Sequence, residues 1–290
     1  MTRLGAIFLP QMAPEQLREV ARVADEAGVE ELWLWEDCFF ESGIASAAAA
    51  LAWTERARVG IGILPVPLRN VALAAMEIAT LQRLFPGRVR VGVGHGVQSW
   101  MGQVGARAGS PVSLLREYLS ALRALLDGQE VTSSGRYVKL DKVRLDWPPG
   151  ASTELLAGAT SPVSLRLSGE FADGTILTGG TSPDGVRRAR ALIEQGRSAA
   201  GRTGGHHVVV YLLAATGPGA EERLAYQHRQ WGFQPGEGVG VAGDALEVAQ
   251  AIEEFVRAGA NTIVLNPTGD EPDVAGFIRF IGRDVRPLVK

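Results

Sequence analysis

The chain has 290 residues, 46% of them hydrophobic and 21% charged, and a formal net charge of −3. This is the composition of an ordinary globular protein, and the small negative charge offers no basic surface to nucleic acid or an anionic membrane, so we expect neither as a partner. A single cysteine excludes an internal disulfide and a cysteine-rich metal site, so we expect no metal. The first ten residues lead into a strand-like pattern without a basic leader, which predicts a cytoplasmic location.

Strand-like and helix-like segments alternate along the whole chain. This alternation is typical of βα units, and the length suits a (β/α)₈ barrel, which takes ~250 residues plus insertions. The sequence therefore predicts one (β/α)₈ TIM barrel domain over residues 1–290, with an open doubly wound sheet as the alternative. The predicted strands are 4–9, 31–35, 59–64, 89–93, 154–157, 174–177, 207–214 and 262–265.

Two helix ends support the barrel because they look like copies of one another. ADEAGVEELWLW at 24–35 and VRAGANTIVLNP at 256–267 share the order helix end, Ala-Gly turn and buried strand. Gly28 and Gly259 are predicted to end the two helices in the left-handed conformation, and Asp244 to cap the second at its start.

Two segments are additions to the eight βα units of a minimal barrel. Residues 128–150 alternate in polarity around a Ser-Ser-Gly turn, which predicts a small hairpin inserted before the fifth barrel strand. Residues 231–243 are glycine-rich and without periodicity, which predicts a long mobile loop that acts as a lid.

The chemistry of a parallel barrel lies on the segments that follow its strands. After the second strand, Asp37 is a candidate for a ring hydrogen bond or a proton relay, with a helix cap as the alternative. Its neighbour Cys38 is either a small filler or a residue beside a cofactor. Trp35 and Phe39 are expected to line a substrate pocket.

The fourth strand is followed by alternating glycines around His95. Gly94 and Gly96 allow close approach of a ligand to the backbone, but this pattern is not the G-x-G-x-x-G dinucleotide motif, and no helix is predicted directly behind it. His95 either contacts a ligand or bonds within its own loop. Trp100 is a candidate pocket wall or a packed core residue.

The fifth strand leads into a helix N-terminus. Gly158, Ala159, Thr160 and Ser161 precede Pro162, and free amides at such an end favour an anion, so we expect a phosphate here. Residues 178–183 repeat the pattern after the sixth strand. The alternative is two ordinary capped helices. The pair His206-His207 precedes the seventh strand and has no partners at metal-ligand spacing.

The chain resembles the luciferase-like flavin and deazaflavin oxidoreductases. The resemblance is carried by ELWLWEDCFF at 31–40, RVGIGILPVPLRNVALAAMEIATLQRLFPGRVRVGVGHG at 58–96, LLREYLSALRALLDGQEVTSSGRYVKL at 114–140 and GEFADGTIL at 169–177. It is strongest to members that use coenzyme F420. It implies a (β/α)₈ fold, usually a homodimer, and a non-proline cis peptide at the end of the third strand, which is Gly62–Ile63 here, with Leu64 following, where the backbone would bulge behind the cofactor ring.

The resemblance also assigns residues around the cofactor: Asp37 near the ring, Gly94 to Gly96 under the cofactor chain and 158–161 near its phosphate. The chain departs from the F420 dehydrogenase pattern at Cys38 and Val97, where histidine and glutamate are common. These departures argue against a sugar-phosphate dehydrogenase reaction. The candidates for the catalytic acid or base are Asp37, which ranks first, Glu36 and His95. Cys38 is a further candidate catalytic residue.

The leading hypothesis is an oxidoreductase that transfers hydride between coenzyme F420 and a small organic substrate in a largely apolar pocket. One alternative is an FMN-dependent luciferase-like monooxygenase. Another is a barrel that binds flavin or F420 without turnover.

Overall fold

The computed structural model describes residues 2–233 and 236–290. The described residues form the following strands: β1 (Arg3–Phe8), β2 (Glu31–Leu34), β3 (Arg58–Pro65), β4 (Val89–Gly94), β5 (Val131–Ser134), β6 (Lys139–Val143), β7 (Leu155–Gly158), β8 (Gly174–Leu177), β9 (His207–Ala215), β10 (Gly240–Ala242) and β11 (Thr262–Pro267). The α-helices are α1 (Leu17–Ala27), α2 (Gly43–Trp53), α3 (Val71–Leu84), α4 (Gln98–Gln103), α5 (Pro111–Leu126), α6 (Pro162–Phe171), α7 (Pro183–Ala199), α8 (Ala220–Trp231), α9 (Ala245–Ala258) and α10 (Val274–Phe280).

Eight strands close into a parallel ring. Their order is β1, β2, β3, β4, β7, β8, β9 and β11, and β11 pairs with β1, so that Arg3 lies opposite Thr262. Helices follow these strands, which confirms the predicted (β/α)₈ barrel. The predicted strand ends agree with the observed ones to within two residues.

The helix ends follow from local side chains and glycines. Gly28 and Gly259 end α1 and α9 with φ of 78° and 107°, as predicted. Asp244 accepts hydrogen bonds from the backbone N–H groups of Leu246 and Glu247 and so caps α9.

The core has two layers. The larger one lies between the strands and the helices, and the smaller one fills the barrel, where Trp33 and Tyr211 pack among aliphatic side chains. Glycines on neighbouring strands make room for these rings, since a Cβ on Gly60 would lie 2.4 Å from Trp33. The packed interior leaves the two ends of the barrel as the places where polar groups collect.

The inserted hairpin is present, with β5 and β6 antiparallel. The segment 231–243 is less irregular than predicted: Trp231 is the last residue of α8, and β10 pairs with Leu213–Ala215 of β9. The pairing arises because β8 reaches only Val210 of the longer β9, which leaves an open edge beyond it. Residues 234–235 of the predicted lid lie outside the described residues. Within 2–233 and 236–290, the helices are all too short or too polar to cross a bilayer.

Candidate active site

The carboxyl ends of the barrel strands meet at one mouth, and the segments after β2, β3, β4 and β7 carry the predicted site residues. Adjacent strands bring them together, since β2, β3, β4 and β7 are consecutive neighbours in the ring. One expectation fails locally: a short helix, α4, begins two residues after Gly96.

The exit of β3 forms one wall of the mouth. The Gly62–Ile63 peptide is cis, as the family resemblance implies, and Cys38–Phe39 is also cis. The pairing of β3 with β4 shifts register between Ile61 and Leu64. The shift places Ile63 beside the barrel interior while the side chain of Leu64 is buried in the outer layer, so Leu64 can offer a ligand only its backbone.

Ile63 meets the two predicted cofactor segments on the neighbouring strands. A Cβ on Gly94 would lie 3.1 Å from the Ile63 side chain, and a Cβ on Gly158 would lie 2.9 Å from it. Gly96 instead packs against the β3 exit, since a Cβ added to it would lie 2.9 Å from Pro65. The structure therefore joins Gly62, Ile63, Gly94 and Gly158 in one surface that lacks side chains on two of its three strands.

Tyr211 is a residue that the sequence reasoning missed. Its hydroxyl donates to the carbonyl of Gly62 at 3.1 Å, and its ring lies 5.6 Å from that of Trp35, centroid to centroid. The alternation of β9, in which His207, Val209 and Tyr211 share the inner face, was the available signal.

Glu36 is braced rather than free. Its carboxylate accepts from both terminal nitrogens of Arg69 and from the backbone N–H of Gly43 at 2.8 Å, while Arg69 Nε donates to Glu77 at 3.0 Å. Glu36 is 9% exposed and Arg69 14%. This three-residue clamp ties the β2 exit to the β3 exit and α3, so Glu36 is a poor candidate for the acid or base.

Of the two consecutive carboxylates at the β2 exit, Asp37 is the one that Arg69 leaves available. Burial raises its pKa above the ordinary value of an aspartate, and its side chain does not cap a helix, since Ser42 caps α2. Burial also raises the pKa of Glu41, helped by the charge of Asp37. The pKa of the Cys38 thiol is raised by burial and by Glu36 and Asp37, so Cys38 stays a thiol at neutral pH.

His95 is tied to the first turn of α6. Its Nε2 lies 3.1 Å from Ser164 Oγ, which lies 2.8 Å from Ser161 Oγ. Burial lowers the pKa of His95, so the imidazole is neutral near pH 7. The two predicted cofactor segments thus share one hydrogen-bonded chain, although His95 bonds outside its own loop through a serine that was not predicted.

Some of the polar groups at the β7 exit already form hydrogen bonds within the protein. Ser161 Oγ accepts from Ser164 N at 3.2 Å, and the N–H of Ala159 donates to the carbonyl of Ile176. Thr160 is exposed, and its hydroxyl is the freer one. Ser182 caps α7 in the same way as Ser161 caps α6, by accepting from Gly185 N at 3.2 Å. Both segments are therefore capped helices, and the capping does not decide whether an anion binds.

The three predicted pocket aromatics differ in burial. Phe39 is 62% exposed at the rim, whereas Trp35 packs against the inner core. Trp100 is half-buried on α4, and its place in the pocket stays a prediction.

Part of the predicted lid lies over the β8 exit. A Cβ on Gly179 would lie 3.2 Å from Trp231, and one on Gly180 would lie 2.3 Å from the ring of Phe233. The two aromatic rings contact each other edge to face with centroids 5.8 Å apart.

Several buried polar atoms at the mouth have no partner among the described residues: Trp35 Nε1, Glu41 Oε1, Asn266 Oδ1 and Thr268 Oγ1. They come from the carboxyl ends of β2 and β11, on either side of β1. Buried polar groups are normally hydrogen-bonded, so such a set points to a polar ligand. Asn266 and Thr268 were missed, although a polar residue at a barrel strand's carboxyl end is a recognisable signal.

In the part of the chain that the structure describes, no three His, Cys, Asp or Glu side chains lie close enough together to bind a metal ion. The pair His206-His207 lies at the amino end of β9, away from the mouth. His206 Nε2 contacts Thr175 Oγ1 at 2.8 Å, and His207 Nε2 contacts Thr262 Oγ1 at 2.9 Å.

Known proteins resemble this chain over most of its length. The family model described as luciferase-like monooxygenase matches residues 2–262. A 5,10-methylenetetrahydromethanopterin reductase of Archaeoglobus fulgidus is 24% identical over 99% of this chain and 100% of its own. An F420-dependent glucose-6-phosphate dehydrogenase of Kineococcus radiotolerans is 26% identical over 97% and 94%. The solved structure of an F420-dependent secondary alcohol dehydrogenase with an F420-acetone adduct has a TM-score of 0.88 at 24% identity, covering 100% and 99%.

Proposed function

Since the chain belongs to the luciferase-like monooxygenase family, we propose that it is an oxidoreductase that transfers hydride between coenzyme F420 and a small organic substrate. The names of the relatives support this cofactor, because F420 appears in those of the glucose-6-phosphate and secondary alcohol dehydrogenases. The observation that carries the proposal is the convergence of Ile63, Gly94 and Gly158 on one wall of the barrel mouth.

The residues at the mouth fit such a cofactor. The side chain of Ile63 lies over Gly94 and Gly158 of the next two strands and offers a smooth apolar surface for one face of a flat ring. The first turn of α6 offers its N-terminus and the hydroxyl of Thr160 to a phosphate. The bound deazaflavin supplies the hydride chemistry, whereas the protein supplies binding, orientation and the position of a proton.

Asp37 is the group we propose to hold or release that proton. Its burial favours the neutral carboxylic acid more than solvent does, which brings its pKa nearer to working pH. Cys38 remains a thiol and His95 a neutral imidazole, so we assign them to the pocket wall and to orienting the cofactor chain.

The charge of the mouth supports an uncharged substrate. Between each barrel strand and the next helix, the exit segments contain one lysine or arginine in all, Arg69. Its guanidinium is engaged by Glu36 and Glu77. A phosphate on the substrate would find no free cation on these segments, which favours a ketone, alcohol or activated alkene over a sugar phosphate.

Cofactor titration tests the function. We expect purified protein to bind F420, followed by the coenzyme's fluorescence, and to oxidise the reduced coenzyme with a panel of uncharged ketones and enones. Glucose 6-phosphate should not reduce F420 in the same assay. Tight binding of FMN with no binding of F420 would overturn the cofactor assignment.

The second candidate is an FMN-dependent monooxygenase, which the description of the family model favours. Oxygen consumption by the protein with reduced FMN and an aldehyde or ketone separates the two candidates. A barrel that binds cofactor without turnover would bind F420 and leave every substrate unchanged.

We also propose a homodimer formed through α2 and α3. Their outer surfaces carry exposed apolar side chains, including Leu73 at 47%, Met76 at 57% and Leu84 at 66%, and α2 is rich in alanine. Exposed apolar side chains gathered on one face are a feature of protein interfaces, and this is the basis of the proposal. Sedimentation should give a dimer that Met76→Lys dissociates, whereas the control Leu246→Lys, on the exposed side of α9, should not.

Three further assignments remain proposals. Residues 1–290 are proposed to act as one domain, on the basis of length and βα alternation, and in the cytoplasm, on the basis of the N-terminal pattern. Trp231 and Phe233 are proposed to belong to a cover over the β8 side of the mouth.

A further inference from the structure

Two buried polar side chains at the carboxyl end of β11 are left without partners. Asn266 is 1% exposed and Thr268 is 0% exposed. Neither Asn266 Oδ1 nor Thr268 Oγ1 has a hydrogen-bond partner among the described residues. An unpaired buried polar atom costs free energy, so two of them at the mouth of a barrel point to a partner from outside the chain.

The inner face of β11 is satisfied at its other end. Side chains alternate along a strand, so Asn266 points to the same side as Thr262 and Val264, and Val264 packs in the inner core of the barrel. Thr262 is as buried as Asn266, but its Oγ1 lies 2.9 Å from His207 Nε2 and accepts from Arg90 at 3.3 Å. The protein thus pairs the buried polar group far from the mouth and leaves those at the mouth unpaired.

The neighbours of Asn266 are apolar. Asn266 lies in register with Leu213 of β9, and the pairing of Ala6 with Leu265 brings Ile7 of β1 to its other side. Leu213 is 1% exposed and Ile7 is 0% exposed. A charged ligand group in such surroundings would lose its hydration without gaining a counter-charge, so the partner of Asn266 is a neutral group.

The segment that follows Thr268 is held in place by the protein. The carbonyl of Thr268 accepts from the N–H of Glu271 at 3.0 Å, and the N–H of Gly269 donates to Gln227 Oε1 at 2.9 Å. Glu271 forms an ion pair with Arg223 at 3.3 Å. These contacts fix the turn, so the position of Thr268 is set before any ligand arrives.

The strand β11 lies opposite the wall proposed to hold the cofactor ring. In the closed ring of eight strands, β11 is four strands away from β4 in both directions. Ile63, Gly94 and Gly158 lie on β3, β4 and β7. A flat ring that rests one face on these residues turns its other face toward β11, so a substrate on that face lies between the ring and Asn266.

We propose that Asn266 and Thr268 select the substrate by binding an uncharged group that both donates and accepts hydrogen bonds, a hydroxyl or an amide. The inference rests on the proposed function and narrows its substrate class. Asn266 Oδ1 accepts from the O–H or N–H of the substrate, and the hydroxyl of Thr268 donates to the substrate's oxygen. A substrate without such a group leaves both side chains unpaired, and a site of this kind rejects it.

A matched set of enones tests the selection. Reduction by reduced F420 is compared for a cyclic enone and for its hydroxyl, carboxamide and methoxyl derivatives. The hydroxyl or the carboxamide derivative should have a kcat/KM about 10–100-fold above that of the plain enone, the effect of pairing one or two buried polar groups. The methoxyl derivative should gain nothing, because it has no proton to donate to Asn266. The better of the two favoured derivatives identifies the group as a hydroxyl or an amide.

Variants at the two residues should remove the preference. Thr268→Val should reduce it by about tenfold, and Asn266→Leu should abolish it, while kcat/KM for the plain enone stays the same. Thr268→Ser keeps the hydroxyl and should keep the preference. Thr262→Val, on the same face of the same strand but away from the mouth, is the matched control and should keep it too.

Urea unfolding without cofactor or substrate gives a second measurement. Thr268→Val removes an unpaired buried hydroxyl and should raise the midpoint of unfolding. Thr262→Val removes a hydroxyl that has two partners and should lower the midpoint. A purely structural role for Thr268 predicts the same loss for both variants.

Three results separate the failure of this inference from the failure of the function. Equal kcat/KM for the plain, hydroxyl and carboxamide enones would overturn the selection by Asn266 and Thr268 and leave the hydride transfer intact. A loss of stability in Thr268→Val as large as in Thr262→Val would do the same. No reduction of any enone by F420-loaded protein would overturn the proposed function itself.

Discussion

Two consecutive carboxylates at the β2 exit have opposite surroundings. Glu36 is held by a guanidinium and a backbone N–H, whereas the pKa of Asp37 is raised by burial, without a cation among the causes. The sequence ranks Asp37 first among the candidate acids or bases, but it gives no reason to set Glu36 aside. That reason is the position of Arg69, 33 residues away in the chain.

Asp37→Asn should lower turnover with reduced F420 by ~10²–10⁴-fold, the usual contribution of a general acid or base. The same variant should be more stable than the unaltered protein at neutral pH. A carboxyl whose folded pKa is raised costs stability progressively as pH rises from the unfolded pKa through the folded one, and the amide removes that cost. Stopped-flow kinetics and thermal unfolding at pH 5 and 7 check both effects. Unchanged turnover would remove Asp37 from the chemistry.

Gly158→Ala should weaken cofactor binding by about tenfold and destabilise the fold by ~1–3 kcal/mol, the range for overpacking. The added Cβ would lie 2.9 Å from Ile63 Cγ2, so the wall of the mouth must shift. Gly150→Ala is the matched control, because nothing lies within 4 Å of its Cβ. Fluorescence titration and chemical denaturation measure the two effects, and equal affinities for the two variants would contradict the assignment of the wall.

At the scale of elements, the clamp of Glu36, Arg69 and Glu77 fixes the exits of β2 and β3 relative to α3. Family resemblance marks the segment that contains Arg69, but its partners depend on the packing of three elements. The sequence pattern likewise could not predict β10 or α4. The strand β10 forms because β9 extends beyond the end of β8, and α4 is too short to show a helical period.

Arg69→Met should destabilise the protein by about 3 kcal/mol, because it leaves Glu36 buried without its cation. Glu36→Gln/Arg69→Met should recover part of the loss, since the uncompensated charge is gone. Arg187→Met is the control: the Arg187–Asp184 pair is exposed and should contribute less than about 1 kcal/mol. Urea unfolding of the four proteins gives the comparison, and a loss in Arg69→Met no larger than in Arg187→Met would refute the clamp.

At the scale of the whole molecule, the two ends of the barrel do different things. The amino end is closed by buried polar groups: Glu31 binds Arg90 at 2.9 Å, and His207 bonds Thr262 across the strands. Burial and nearby arginines lower the pKa of His206 to about 4 and that of His207 to about 3. Both histidines are neutral in the folded protein.

This closed end should make the protein acid-sensitive. A histidine ordinarily titrates near 6.5, so the unfolded chain binds more protons than the folded one below that pH, and stability falls as the pH drops from about 6.5 to about 4 for His206 and to about 3 for His207. At ~1.4 kcal/mol per pKa unit the loss amounts to a few kcal/mol for each of the two histidines. His207→Gln should flatten the dependence of the unfolding free energy on pH. His228→Gln should flatten it less, because burial lowers the pKa of His228 while the charge of Glu237 opposes the shift. The same steep acid dependence in His207→Gln would show that other groups cause it.

The sequence alone determined the barrel, because the alternation of strand-like and helix-like periods is local and the boundary residues Gly28, Gly259 and Asp244 act on their own backbone. It also placed Asp37, Gly62, Gly94 and Gly158 at or just beyond the carboxyl ends of strands, and hence at one mouth. Only the tertiary structure decided which candidate residues are engaged within the protein: it turned Leu64 outward, joined His95 to Ser164, engaged Glu36 with Arg69 and brought Tyr211 under Gly62. Those partners lie 33 to 149 residues apart in the chain, and closure of the barrel is what sets their distances.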